Sequence, residues 1–132
     1  MEITLEQVRA KAAEIVQGNE EFVYTKDGAP GSFITCRYVK EGEPSCLVGK
    51  VLAGLGVPLS VLEDMDKADS PSIEGDGLHV LAEVGDVTVG HGVPQYLATL
   101  QRVQDSIFAP NSWAAALMSA EETASRYTEV AS

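Results

Sequence analysis

Glycine and proline interrupt the apolar pattern of this chain at short intervals, and their spacing limits the structures it can form. The 132 residues include 12 glycines and 6 prolines. The two longest stretches without charge, residues 87–101 and 106–120, each contain a proline. Both are shorter than the roughly 20 apolar residues of a membrane-spanning helix. The chain is therefore predicted to fold from short helices and strands, and no membrane span is expected.

Composition predicts a folded chain. Hydrophobic residues make up 45% of the sequence and charged residues 22%, whereas disordered chains combine low hydrophobicity with high charge. No linker, repeat or low-complexity tract divides the sequence. We therefore expect residues 1–132 to form a single domain.

Helical spacing of apolar residues predicts much of the secondary structure. Thr4 followed by Gln7 is a capping-box pattern, and it indicates a helix over residues 4–17 that Gly18 ends. Ser45 is the expected N-cap of a helix over residues 46–55. Further helices are predicted over residues 59–65, 78–84 and 94–108 and from Trp113 onward.

Two runs of aromatic and β-branched residues flank a loop rich in glycine and proline and predict an antiparallel hairpin over residues 22–39. Residues 87–89 are a possible third strand, and residues 66–77 are predicted to be a surface loop. The expected fold class is α+β. About five helices would pack around a small antiparallel sheet of two or three strands.

The charge balance is strongly acidic. Twenty acidic residues against nine basic ones give a formal net charge of −11, and the excess is spread along the chain. An electrostatically attracted partner should therefore be a basic or mixed-charge protein, and nucleic acid is disfavoured. The candidate partner contacts are exposed acidic pairs, Glu41 with Glu43 and Glu63 with Asp64.

Two cysteines and two histidines offer a possible zinc site. Cys36, Cys46, His79 and His91 could together form a tetrahedral set of ligands. Their spacing matches no short metal-binding pattern, so buried thiols and surface histidines are the alternative interpretation. Neither a metal nor any other cofactor is predicted.

Cys46 is a separate candidate because it stands at the predicted start of a helix. Free N–H groups and the helix dipole favour a thiolate there. A nucleophile would also need a base, and the sequence places neither histidine beside Cys46. Simple packing behind Ser45 is the alternative, and no catalytic residue is predicted.

Residues 46–66 resemble a helix-turn-helix corner around the turn Leu55-Gly56-Val57. A recognition helix that approaches phosphates needs Lys or Arg. The second helix of this corner instead carries acidic residues at positions 63, 64 and 66. The corner is therefore expected without DNA recognition.

The chain start lacks the basic region and apolar run of a secretory signal, which predicts a cytoplasmic protein with reduced thiols.

The segments Cys36-Arg-Tyr-Val, Pro44-Ser-Cys-Leu-Val-Gly and Leu55-Gly-Val, with Gln104-Asp105 and Trp113-Ala-Ala-Ala, resemble a family of small uncharacterised actinobacteriophage and actinobacterial proteins. That resemblance implies a bacteriophage or actinobacterial cytoplasm. It implies no activity and no catalytic residue.

Three functions remain open at this level. The first is a non-catalytic binding or accessory protein, phage-encoded by resemblance, that engages a host protein through its acidic surface. The second is a small thiol-dependent enzyme or redox sensor using Cys46 or Cys36. The third is a DNA-directed regulator that uses the corner at residues 46–66.

Overall fold

Six helices and two short strand pairs make up the part of the chain that the computed structural model describes, residues 1–21, 38–40, 42–68, 76–104 and 112–131. In chain order the elements are β1 (Glu2–Ile3), α1 (Leu5–Val16), β2 (Val39–Lys40), β3 (Glu43–Pro44), α2 (Leu47–Gly54), α3 (Leu59–Asp66), α4 (Asp76–Glu83), β4 (Thr88–Val89), α5 (Val93–Gln104) and α6 (Trp113–Ala131). The arrangement is mostly helical and belongs broadly to the predicted α+β class.

The helix α1 confirms the prediction from the capping box. Thr4 is the N-cap, its hydroxyl accepts a hydrogen bond from the Gln7 amide, and the Gln7 side chain accepts one from the Thr4 amide. These bonds satisfy donors that a helix start leaves without intrahelical partners. One buried stripe, formed by Val8, Ala12 and Val16, faces the core.

The sheet differs from the predicted antiparallel arrangement. The strand at residues 87–89 is confirmed as β4, but it pairs in parallel with β1, Glu2 opposite Thr88 and Ile3 opposite Val89. Helices α1 to α4 lie between these two strands in the sequence. A two-residue strand carries too little alternation to specify its partner, so burial of Ile3 in the core decides this pairing.

A second, antiparallel pair follows the predicted hairpin. β2 pairs with β3 in a short hairpin, Val39 opposite Pro44 and Lys40 opposite Glu43. The predicted hairpin over residues 22–39 lies outside the described residues except at its last two positions. The reversal between β2 and β3 uses Gly42 at φ +78°, a conformation that glycine adopts without steric cost.

The helix predicted over residues 46–55 is present as α2, but its N-cap is Cys46 and not Ser45. The Cys46 sulfur accepts the Gly49 amide at 3.5 Å. At the other end, Gly56 has φ +105° and Val57 donates to the Leu52 carbonyl at 3.0 Å. This is a Schellman ending, and it explains why the helix stops before Gly56.

Helices α3 and α4 are each eight residues long and correspond to the helices predicted over residues 59–65 and 78–84. The described residues contain six helices, where the predicted fold class had about five. Helices α3 and α4 form because each packs an apolar face against the other. α4 begins at residue 76, inside the segment predicted to be a loop, while residues 69–75 of that segment lie outside the described residues. Leu81 of α4 is buried, whereas Val84 beyond its end is 57% exposed.

Helices α5 and α6 form the most extensive helix contact in the described part of the chain. α5 begins one residue before the predicted helix at 94–108, and residues 105–108 lie outside the described residues. Ala116, Ala120 and Ala124 form a buried stripe on α6 that allows close approach. None of the helices within the described ranges is long and apolar enough to cross a membrane.

All six of the described helices contribute residues to the buried core. Its largest fully buried members are Tyr38, Tyr96, Ile3, Leu47, Leu52, Leu62, Met65, Leu81, Leu97 and Leu100. Trp113 at the start of α6 is also buried, at 3% exposure.

Gly49→Ala should destabilise the fold by about 1–3 kcal/mol, the usual range for overpacking. A Cβ at this position would collide with the Tyr38 carbonyl oxygen and lie 3.1 Å from the Tyr38 Cα. Gly54→Ala, in the same helix, meets only the flexible Lys11 side chain and should be neutral or stabilising. Urea denaturation of both variants tests the difference, and equal stability changes would contradict it.

Trp113→Ala should cost about 3–5 kcal/mol, because this side chain fixes the start of α6 in the core. Met118→Ala is the matched change on the same helix. Because the Met118 side chain is 69% exposed, this variant should change the free energy of unfolding by no more than about 0.5 kcal/mol. Chemical denaturation measures both values. A loss below about 1 kcal/mol for Trp113→Ala would show that the ring contributes little to anchoring α6.

Candidate functional site

The predicted partner contacts on α3 lie on its solvent-exposed side. Val61, Leu62 and Met65 are buried, so Glu63 and Asp64 are directed outward by the helical repeat. Glu43 is exposed on β3. We call Glu43, Glu63 and Asp64 together the α3 acidic surface. The remaining candidate, Glu41, lies outside the described residues.

The last residue of α3 joins this helix to β2, the strand that pairs with β3 in the hairpin. One carboxylate oxygen of Asp66 accepts the Tyr38 amide at 2.9 Å, and the other accepts the Val39 amide at 3.0 Å. Hydrogen bonds to an ionised carboxylate are stronger than those between neutral groups. The hairpin that bears Glu43 is therefore held at the end of the helix that bears Glu63 and Asp64.

The ion pairs found among the described residues do not include the members of the α3 acidic surface. Within the described part of the chain, ion pairs join Arg9 to Glu121 at 3.0 Å and Lys11 to Glu14 at 3.1 Å. None of the ion pairs found there involves Glu43, Glu63 or Asp64. The exposed Lys67 follows α3 directly and partly offsets the negative charge. Exposed carboxylates such as these attract cationic groups at long range.

Of the proposed zinc ligands, the structure places three. Cys46 is fully buried, whereas His79 and His91 are exposed. His79 lies 3.8 Å from Glu83 on the outer side of α4. Cys36 lies outside the described residues. Within the described ranges, no group of three or more His, Cys, Asp or Glu side chains is arranged to hold a metal ion.

The thiol of Cys46 acts as a helix cap. Cys46 is fully buried, and its sulfur accepts a hydrogen bond from the Gly49 amide. Cys46 is a free cysteine. A buried thiol that caps a helix is out of reach of a dissolved substrate, which favours the packing interpretation over a nucleophile.

The sequence did not predict a cluster of polar side chains that lies between α1, α5 and α6. The Arg9 guanidinium binds both carboxylate oxygens of Glu121, at 3.0 and 3.1 Å. These hydrogen bonds raise the pKa of Arg9. The residues stand 112 positions apart, and no local pattern in the sequence could have paired them. The fork geometry favours this contact, although both side chains are 41% exposed and solvent weakens the pair.

Tyr96 lies beside this ion pair and is fully buried. Among the described residues, its hydroxyl has no hydrogen-bond partner. Burial raises the pKa of the Tyr96 phenol, and the negative charge of Glu121 raises it further. The phenol therefore stays neutral at pH values where exposed tyrosines ionise.

Hydroxyl contacts continue the polar cluster along the α5–α6 interface. Thr99 and Thr123 lie 3.2 Å apart through their hydroxyl oxygens. Thr99 also donates to the Gln95 carbonyl, and Thr123 to the Ser119 carbonyl. These contacts satisfy polar groups between two helices, so they support helix packing and offer no reactive group.

Comparison with known proteins finds no matching family model, no matching curated protein and no matching solved structure. The α3 acidic surface consists of exposed carboxylates that take part in none of the ion pairs found in the described part of the chain.

Tyr96→Phe should leave stability at neutral pH unchanged or raise it by about 1 kcal/mol, because it removes a buried hydroxyl that has no hydrogen-bond partner among the described residues. The wild-type protein should lose stability as pH rises above about 10, since the unfolded chain then releases the Tyr96 proton and the folded chain keeps it. The Tyr96→Phe variant should lose less stability over the same pH range.

Urea denaturation at a series of pH values measures both effects. Tyr38→Phe is the comparison, because the Tyr38 hydroxyl donates to Gln101 at 3.4 Å and its removal should cost stability. A loss above about 1 kcal/mol for Tyr96→Phe at neutral pH would show that the Tyr96 hydroxyl is hydrogen-bonded.

Proposed function

We propose that this chain is a non-catalytic binding protein that engages a basic protein through the α3 acidic surface. The observation that carries the proposal is the placement of three exposed carboxylates on a helix and a hairpin that are hydrogen-bonded to each other. None of the three takes part in an ion pair found within the described ranges. The net charge of −11 adds a long-range attraction for the same class of partner.

The sign of the charge favours protein over nucleic acid. Binding to a phosphate backbone depends on Lys and Arg that displace counterions. The outer side of α3, the second helix of the corner at residues 46–66, instead presents Glu63 and Asp64. DNA recognition by this corner would require negative groups to approach phosphates, so the DNA-directed alternative has less support.

The thiol-dependent alternative also has less support. Cys46 is fully buried and its sulfur serves as a helix cap, so neither a substrate nor an oxidant meets it at the surface. The resemblance to small actinobacteriophage proteins makes a host cytoplasmic protein the expected partner. A bacteriophage origin of this chain is therefore part of the proposal.

The physical role of the surface is to accelerate and orient association. A single exposed ion pair contributes about 0–1 kcal/mol, so three carboxylates supply modest affinity. Their larger effect is on the rate of encounter, which falls as salt screens charges beyond a Debye length of about 8 Å. Contacts made after docking would supply the remaining affinity.

Charge reversal tests the proposal with a fluorescent oligolysine peptide as the basic probe. Glu63→Lys with Asp64→Lys should weaken binding about five- to tenfold at low salt, because two attractive contacts become repulsive. Lys67→Glu should strengthen binding, because it removes the one positive charge that directly follows α3. Fluorescence anisotropy measures both effects across a salt series.

The control reverses two exposed acidic residues elsewhere, Glu21 after α1 and Glu122 on α6. This double variant carries the same change in net charge and should weaken binding much less than the change on α3. Equal effects from the two double variants would leave only the net charge as the cause and would contradict a defined acidic surface.

A further inference from the structure

We propose that residues 118–126 of α6, here called the α6 strap, can separate from α1 and α5 while the start of the helix stays in the core. The Arg9–Glu121 ion pair holds the strap closed, and salt favours its opening. The inference concerns a conformational change built into the fold. It does not depend on the α3 acidic surface, so either proposal can fail without the other.

The start of α6 is fixed to its surroundings. Trp113 is buried in the core. The Ala114 amide donates to the Glu20 carbonyl at 3.0 Å, which ties the first turn of α6 to the segment after α1. The Ser112 hydroxyl accepts the Ala115 amide at 3.2 Å and caps the helix. These contacts keep the first turn in place when the strap opens.

The strap itself buries little apolar surface. Within residues 118–126 the fully buried side chains are those of Ala120 and Ala124, and Met118 is exposed. On α5, by contrast, Tyr96 and Leu97 are both fully buried. Hydrophobic stabilisation scales with the apolar area removed from water, so an alanine methyl contributes far less than a leucine side chain. The strap lies close to α5 but gains little from burial.

Opening of the strap would also cost few hydrogen bonds between α5 and α6. The Thr99 and Thr123 hydroxyl oxygens lie 3.2 Å apart across the interface. Each hydroxyl carries one proton, and each has an acceptor on its own helix, the Gln95 carbonyl for Thr99 and the Ser119 carbonyl for Thr123. Both threonines therefore keep a hydrogen bond after the helices separate.

Tyr96 disfavours the closed arrangement. Its side chain is fully buried beside the Arg9–Glu121 pair, and its hydroxyl has no hydrogen-bond partner among the described residues. Opening would let water hydrate this hydroxyl and remove the cost of burying it.

The contact that opposes opening is the Arg9–Glu121 pair, whose side chains are each 41% exposed. An ion pair this exposed is weak, and salt screens it further. The balance between the closed and open strap should therefore shift toward the open state as salt rises.

The first measurement is native-state amide hydrogen exchange by NMR on the wild-type chain at low and high sodium chloride. A detached helix segment frays, because short helices without packing are marginal in water. The strap amides should therefore exchange through an opening that leaves the α5 amides protected, and about threefold faster or more at high salt. Exchange of the strap only together with α5, by global unfolding, would overturn the proposal.

Glu121→Gln tests the ion pair, and Glu122→Gln is the matched control, because Glu122 is the exposed neighbour on the same helix. Glu121→Gln should accelerate strap exchange about three- to fivefold at low salt and remove most of its salt dependence. Glu122→Gln, which makes the same change in charge, should leave the strap rates unchanged. Equal rates in the two variants would show that the Arg9–Glu121 pair does not hold the strap.

Tyr96→Phe tests the hydroxyl in the opposite direction. It should slow strap exchange about threefold or more, because the open state no longer gains a hydrated hydroxyl. If Tyr96 served only as a packing residue, its substitution would leave strap exchange unchanged or accelerate it, and either result would overturn the role given to the hydroxyl.

Discussion

The close approach of the Tyr38 backbone to the first turn of α2 is the contact on which the centre of this structure depends. Gly49 permits it, because any side chain there would collide with the Tyr38 carbonyl. Tyr38 then bonds to Ser45 before α2, to Asp66 on α3 and to Gln101 on α5. One residue thereby fixes the hairpin relative to three helices, and its ring is fully buried.

Charge is distributed according to what the helices bury. Among the described residues, the buried polar side chains are Thr99 and Gln101, and no acidic or basic side chain is fully buried. The acidic excess therefore lies on or near the surface, where its cost is small and its field reaches solution. On α1, Arg9 and Lys11 each pair with a carboxylate, whereas no ion pair found in the described part of the chain includes Glu63 or Asp64 on α3.

Polar contacts among α1, α5 and α6 serve a different purpose. The Arg9–Glu121 pair and the Thr99–Thr123 contact join helices that are far apart in the sequence. Tyr96 is buried beside them without a partner for its hydroxyl among the described residues, which costs stability that the surrounding apolar packing offsets. These contacts fix the positions of the three helices relative to one another.

The sequence by itself determined the local elements, because caps, glycine stops and helical spacing act within a few residues of one another. The Thr4 capping box predicted α1, and the pattern around Leu59 and Met65 predicted α3 with Glu63 and Asp64 outside. Only the tertiary structure decided the parallel pairing of β1 with β4, the choice of Cys46 over Ser45 as N-cap, and the hydrogen bond from the Tyr38 amide to Asp66. Each of these depends on backbone groups meeting across many residues or on how tightly one segment packs on another. No periodicity in the chain encodes such meetings, because packing and hydrogen-bond satisfaction in the assembled core select them.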